Sequence, residues 1–308
     1  MQTVVAVLSD IHSNAQALTV CLRHALSRGA SHFLFLGDFV SQCPDTRGTM
    51  DRLHDLRRRF PCRFVRGNRE EYMLSYRASG AVGWCDGSAT GSLLHAYEQL
   101  TDGDLDFFAS LSPCGVLTLP HLPPIRFCHG SPESTREGLY LDGNAARRAL
   151  QGCPEALLLC GHTHVQGSLT SNGKRIVNPG AVGLALRQGG GRAQYALLRG
   201  EDGAWQAELL QIPYDVEATL RAFDESGLSR RAPVWTQVTK HILRTGENYT
   251  VKTLTRARAL CEAGGDIARW PRVSEAYWLE ALREMGLPFP DTDESPDTKS
   301  GLQGAKTP

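Results

Sequence analysis

Two histidines one residue apart, in Gly161-His162-Thr163-His164, close a five-residue apolar run from Ala156 to Cys160. Four other polar groups follow apolar runs in the same way: Asp10-Ile11-His12, Gly37-Asp38, Gly67-Asn68-Arg69-Glu70 and His129-Gly130. Together they offer seven ligand-competent side chains: the carboxylates of Asp10 and Asp38, the amide of Asn68, and the imidazoles of His12, His129, His162 and His164. Mixed oxygen and nitrogen donors of this kind suit two hard or borderline divalent cations. Asp10 and His12 are two residues apart, and in an extended turn such residues point the same way, so both can grip one ion. His162 and His164 repeat the spacing and can serve one ion together or two separately. Asp38 can bridge two ions and hold them about 3.5–4 Å apart, the spacing used in two-metal hydrolysis. Asn68 adds an oxygen ligand without adding charge.

Each piece also has a plainer meaning. An Asp after a strand is often a turn or cap residue, Gly-Asn is a common turn dipeptide, and a lone His is usually a satisfied polar group. The joint pattern is what carries weight, because five clusters at five run ends are hard to obtain by accident.

The elements that must position these groups are legible around them. Val4–Leu8 is a continuous apolar run, the mark of a buried strand. Ser13 or Asn14 can cap the helix that follows, whose Ala17, Leu18, Cys21, Leu22, Ala25 and Leu26 share one face. His32–Leu36 reads as the next strand, Met50–Arg59 as a helix and Cys62–Val65 as a third strand, a β-α-β-α-β start with the polar clusters at strand C-termini, the edge where α/β sheets bind ligands. Residues 70–111 read as a mainly helical insert with a Gly-rich break, a candidate roof over the site. Ile125–Cys128, Ala156–Cys160 and Arg175–Val177 read as strands, and Tyr195–Leu198 and Trp205–Leu210 as a late antiparallel pair. After Pro213 come helical patterns near 216–225, 234–243, 251–262 and 274–285. The expected organisation is therefore a catalytic domain over 1–213, a helical extension over 214–290 and a polar, disordered tail over 291–308.

Composition bounds the partners. The chain has 308 residues, and its 33 basic and 33 acidic side chains balance, so no global charge favours nucleic acid or an anionic membrane. The basic run Arg57-Arg58-Arg59 reads as the solvated end of a helix. Nine scattered cysteines with no CxxC pair suggest reduced, buried thiols rather than a disulfide framework. No segment reaches transmembrane length, and the first apolar stretch leads into Asp10 without a basic leader or cleavage site, so a cytoplasmic location is expected.

The order Asp-x-His, Gly-Asp, Gly-Asn-x-Glu, His-Gly, Gly-His-Thr-His resembles the calcineurin-like metallophosphoesterases. The resemblance runs from about Val4 to Leu210, and Val177-Asn178-Pro179-Gly180-Ala181-Val182-Gly183 fits the bacterial, phosphodiesterase-like branch. It implies a four-layer α/β/β/α sandwich, here with a helical C-terminal appendage. By position, Asp10, His12 and His164 would hold a first metal, and Asn68, His129 and His162 a second, with Asp38 between. The implied reaction is hydrolysis of a small phosphate ester, a phosphodiester or nucleotide-type substrate, by in-line attack of a metal-bound hydroxide. Manganese is the first expectation for the metals, and the donor set also admits iron, zinc, nickel or cobalt.

One departure bears on the chemistry. The family often has His after Gly-Asn, and here that position is Arg69, which cannot act as a general acid but can clamp a phosphate oxygen. Arg69, Asn68 and His129 are the expected catalytic residues, and Arg69, Arg187 and Arg192 the expected substrate contacts; Arg77 has the same standing as Arg187 and Arg192, for which solvated surface charge is the plainer reading. Trp84, His95 and Tyr97 could stack a nucleobase, with core packing the plainer fate. Phosphomonoesterase or protein phosphatase activity is the near alternative. A non-catalytic interaction scaffold is the distant one, kept open by the C-terminal helices, which could also mediate homo-oligomers. A nuclease is disfavoured by the zero net charge.

Overall fold

The run Thr3–Leu8 (β1) forms a strand buried on both faces, and its continuous apolar character follows from that position. The computed structural model describes residues 3–288, and the tail expected over 291–308 lies outside them. Helix α1 (Ala15–Ser27) is capped by Asn14, whose side chain accepts from the Ala17 N–H. Then come β2 (His32–Phe35), α2 (Thr46–Arg59), β3 (Cys62–Phe64), α3 (Asn68–Ala78), α4 (Gly91–Tyr97) and α5 (Asp102–Ser110). The next stretch holds β4 (Cys114–Leu117), β5 (Ile125–Cys128), α6 (Asn144–Gly152), β6 (Leu157–Leu159), β7 (Gly167–Ser171) and β8 (Lys174–Asn178). A 3-10 turn at Arg187–Gly189 precedes β9 (Arg192–Glu201) and β10 (Ala204–Pro213), which pair antiparallel as expected. Asp202 and Gly203 at their tip both have positive φ, the turn that matches strand twist.

The strands form two five-stranded sheets, ordered β10-β9-β1-β2-β3 and β4-β5-β6-β8-β7. The sheets pack face to face through Val5, Val7, Leu34, Leu36 on one side and Ile125, Phe127, Leu159, Val177 on the other. The opposite face of the first sheet carries α1 and α2, and that of the second carries α6 through Ala146 and Leu150. This is the α/β/β/α order. Period-2 alternation explains it: Val4, Ala6 and Leu8 face the helices, while Val5 and Val7 face the other sheet.

The insert at 70–111 is helical but does not roof the site. Met73, Leu93, Ala96, Leu105 and Phe108 pack α3, α4 and α5 into the core on the outer face of the first sheet. The aromatics expected as stacking platforms are spent there. Trp84 stacks on Tyr76 at 4.0 Å, Tyr97 meets Tyr76 edge-on at 4.8 Å, and His95 lies against the Pro44 carbonyl at 3.2 Å. The basic run at the end of α2 is also locally satisfied, with Arg57 over the Phe107 ring and Arg58 and Arg59 on Asp55.

After β10 follow α7 (Val216–Glu225), α8 (Leu228–Arg231), α9 (Pro233–Thr245), α10 (Thr250–Ala263) and α11 (Glu275–Glu284). They build a core around Phe223, Val238, Ile242 and Trp278 that also takes in Cys43 and Leu184 from the α/β body. Among the described residues, no helix is long and apolar enough to cross a membrane. All nine cysteines are free, six of them buried.

Candidate metal centre

Every ligand-competent residue singled out above sits just past a strand or at the start of the helix that follows one. Asp10 and His12 follow β1, Asp38 follows β2, Asn68 opens α3 after β3, His129 follows β5, and His162 and His164 follow β6. The first four come from one sheet and the last three from the other, so the centre spans both sheets at a shared edge. Backbone hydrogen bonds join the loops there: His12 N–H to the Asp38 carbonyl (3.0 Å), Gly161 N–H to His129 (2.7 Å) and Gly183 N–H to Asp10 (2.9 Å). Gly161 is required by closeness, since a Cβ there would collide with the Ser9 hydroxyl.

Two clusters result: Asp10, His12 and His164, and Asp38, His129 and His162, each with its ligand atoms within 4.8 Å of one another. His12 Nε2 and His164 Nε2 are 3.0 Å apart, and His129 Nε2 and His162 Nδ1 are 3.2 Å apart. Two nitrogens each about 2.1 Å from one ion stand about 3.0–3.4 Å apart, so both pairs fit a cation between them. Asn68 Oδ1 lies 3.1 Å from His129 Nε2, which brings it to the second cluster. Asp38 lies between, its Oδ2 3.7 Å from His12 Nε2 and its Oδ1 3.4 Å from His129 Nε2. Asp10 Oδ1 is fully buried without a hydrogen bond of good geometry and lies 3.3 Å from His164 Nε2, a pairing that a cation held by both atoms would satisfy.

The surrounding groups prepare the ligands. His129 Nδ1 donates to the Leu36 carbonyl (2.7 Å) and His164 Nδ1 to the Leu184 carbonyl (2.8 Å), which leaves both Nε2 atoms free to ligate. Ser9 Oγ and the His162 N–H both donate to Asp10 Oδ2. Asp10, His12, Asp38, His162 and His164 all have φ between 51° and 66°, left-handed backbone that non-glycine residues adopt at a cost. Such strain clusters at working sites.

The electrostatics match a cation site. Burial opposes charge on Asp10 and Asp38, yet the imidazoles around them hold both carboxyls below the usual range. Burial, followed by the nearby His164, presses His12 down to about 3. Burial also works against protons on His129 and His164, but the charges of Asp38 and Asp10 respectively win and raise them.

Two supporting residues lay within the sequence motifs without an assigned role. Glu70 is fully buried and accepts from the N–H groups of Asp38 (2.9 Å), Phe39 (2.8 Å) and Gly67 (2.8 Å), so it holds the Asp38 and Asn68 loops together. Asn178 donates to the Gly161 carbonyl (2.9 Å) and Thr163 Oγ1 (3.0 Å), bracing the two-histidine loop from β8. Glu70 could have been found as a capping-box acid three residues after Gly67.

The expected substrate contacts separate. Arg69 is at the centre: its N–H donates to Asp38 Oδ1 (2.8 Å), while its Nε is buried without a hydrogen bond, 3.8 Å from Asp38 Oδ2. Arg187 lies on the 3-10 turn next to Leu186, whose N–H donates to the His164 carbonyl (3.2 Å). Arg192 stands exposed at the start of β9 opposite Pro213, and among the described residues no hydrogen bond or ion pair joins it to the centre. Arg77 pairs with Asp106 at 2.8 Å.

Comparison with known proteins agrees with this architecture. The model of the calcineurin-like phosphoesterase superfamily domain matches residues 4–203. An uncharacterized protein of Methanocaldococcus jannaschii is 24% identical over 256 residues, covering 76% of this chain and 96% of that protein. A hypothetical protein from Pyrococcus horikoshii OT3 superposes with TM-score 0.66 at 18% identity, over 80% of this chain and 99% of the other. A metallophosphoesterase from Sphaerobacter thermophilus superposes with TM-score 0.59 at 23% identity, over 75% and 98%. These two likenesses concern the fold. The family match takes in the strands from β1 to β9 and all seven ligand-competent residues, and the chain belongs to the calcineurin-like phosphoesterase superfamily.

Proposed function

We propose that the protein is a metal-dependent phosphoric ester hydrolase acting on a small phosphodiester or nucleotide-type substrate, with two divalent ions held by the two clusters. The carrying observation is Asp38, whose two carboxylate oxygens each face a histidine of a different cluster. When bound, the ions supply Lewis acidity at the phosphoryl group and an activated water. The chain's own part is to orient and clamp. Arg69 presents a buried Nε that pairs with Asp38 at 3.8 Å without a hydrogen bond, and a phosphate oxygen would complete it. Its guanidinium stays charged, so the proton for the leaving oxygen comes from water or another residue rather than from this side chain. The free cysteines fit a reducing compartment, in keeping with a cytoplasmic enzyme.

The test is hydrolysis of bis(p-nitrophenyl) phosphate beside p-nitrophenyl phosphate by metal-stripped protein before and after Mn²⁺ is restored. Turnover should require metal and favour the diester. Asp38→Asn should lower both metal content and turnover, the latter by at least about a hundredfold. Arg69→His should add a titrating group to the pH–rate profile. An Asp38→Asn protein with unchanged metal content and rate would show that these clusters are not the centre.

A further inference from the structure

A cavity lies beside the two-histidine loop, which lines it through Val165. It measures about 520 Å³, and its lining includes Tyr140 from the loop after His129, Val165, Arg187, and Tyr249 and Lys252 from the junction of α9 and α10. Val165 directly follows the ligand-competent His164, and Leu186, also in the lining, donates its N–H to the His164 carbonyl. The C-terminal helices fix this arrangement. Arg187 donates its N–H to the Gly246 carbonyl (2.8 Å) and Gly191 donates to Leu243 (2.9 Å). Gly246 has φ +74°, and a Cβ there would strike the Arg187 carbonyl. Arg187 itself is held at φ 60°. The helices beyond the family match therefore fix the backbone of Arg187, one residue past Leu186, whose N–H meets the His164 carbonyl.

The lining carries two cations, Arg187 and Lys252, and one acid. Neither Arg187 nor Lys252 has a carboxylate partner among the described residues, and Lys252 Nζ sits 5.2 Å from the Tyr249 ring centroid. Glu247, the one acid in the lining, faces His241 at 3.3 Å. Tyr140 offers a ring that is 52% exposed. Two unpaired cations suit a phosphate group, and a free aromatic face suits a base.

We propose that this cavity is a subsite for the part of the substrate remote from the scissile phosphate, and that it takes a nucleoside phosphate. Arg187 and Lys252 receive a second phosphate group, and Tyr140 receives the base. The assignment rests on the phosphoesterase reading above. Calorimetric titration of the metal-free, full-length protein with ADP, pyrophosphate and adenosine tests it. ADP should bind more tightly than either fragment. Arg187→Ala and Lys252→Ala should each weaken ADP by about tenfold, and Lys252→Arg should restore most of the loss. Tyr140→Ala should weaken ADP and leave pyrophosphate unchanged. Absence of ADP binding, or affinities that neither cation changes, overturns the subsite. Manganese-dependent turnover of bis(p-nitrophenyl) phosphate, which has no second phosphate, reports separately: its loss removes the phosphoesterase reading, whereas the ADP affinities judge the cavity.

Discussion

At the scale of the residue, the centre depends on groups that never touch a substrate. Glu70 is the clearest. Its Oε2 accepts from Asp38 and Gly67 and its Oε1 from Phe39, so all its contacts are acceptances. Burial, then repulsion from Asp38, push its carboxyl up to about 7, against the pull of the Gly67 and Phe39 N–H groups. Glu70→Gln would set an NH₂ donor against at least one of those N–H donors, with left-handed Asp38 beside it. The fold should survive, while metal affinity falls about 10–100-fold, as for other outer contacts of a metal site. Competition titration with a metallochromic chelator reads this directly, and an unchanged affinity would remove Glu70 from the positioning role. The sequence marked Glu70 as part of Gly-Asn-x-Glu but hid its role, which lies in a contact with residues 31 and 32 positions away.

At the scale of the element, α2 and α5 are held to each other by one buried acid. Asp104 is 1% exposed, accepts from Arg47 Nη1 (2.6 Å), lies 2.6 Å from His54 Nε2, and receives the Thr101 hydroxyl (2.7 Å) at the start of α5. Burial opposes its charge, but His54, Arg47 and Thr101 hold it well below the ordinary carboxylate range. Asp104→Ala removes a helix cap and strands two partners, and should destabilise by about 2–4 kcal/mol at neutral pH. The sign with pH follows from the lowered value. The contribution is present above the unfolded carboxyl pKa of about 3.9 and is lost as pH falls below it. The gap in thermal stability between wild type and Asp104→Ala should therefore be largest at neutral pH and shrink below about pH 4. A gap that widens in acid would contradict this account. The strong elements were legible by periodicity, as β1, α1 and α7 show. The missed ones, β4, β7 and α6, had little to read: β7 has one large apolar residue, Leu169, and α6 buries only Ala146 and Leu150.

At the scale of the whole molecule, the C-terminal helices join the sandwich rather than hang from it. Leu184 and Cys43 lie within their core, Val234 N–H donates to Ser88 Oγ (2.9 Å), and Trp270 donates to the Ala89 carbonyl (3.2 Å). A chain ending at Pro213 would expose Cys43 and Leu184 and release the 187–191 turn that borders His164. It should be poorly soluble or melt without cooperativity, with weakened metal binding. A truncated chain that stays soluble, melts in one transition and keeps its metal affinity would show that the helices are a separable unit.

What the sequence determined by itself was the chemistry of each strand end. Apolar runs must be buried, and the polar groups that close them must emerge at a sheet edge, so Asp10, His12, Asp38, Asn68, His129, His162 and His164 were visible as ligand-competent residues. What only the tertiary structure decided was their company. Nothing local says that β1, β2 and β3 belong to one sheet and β5 and β6 to the other. Nor does it say that the sheets stack with both active edges together, that Arg69 reaches the centre while Arg192 does not, or that Arg187 is held by a glycine 59 residues further on. Those facts come from long-range hydrogen bonds and the burial of two sheet faces against each other. Such terms are summed over the whole fold and are written in no single segment.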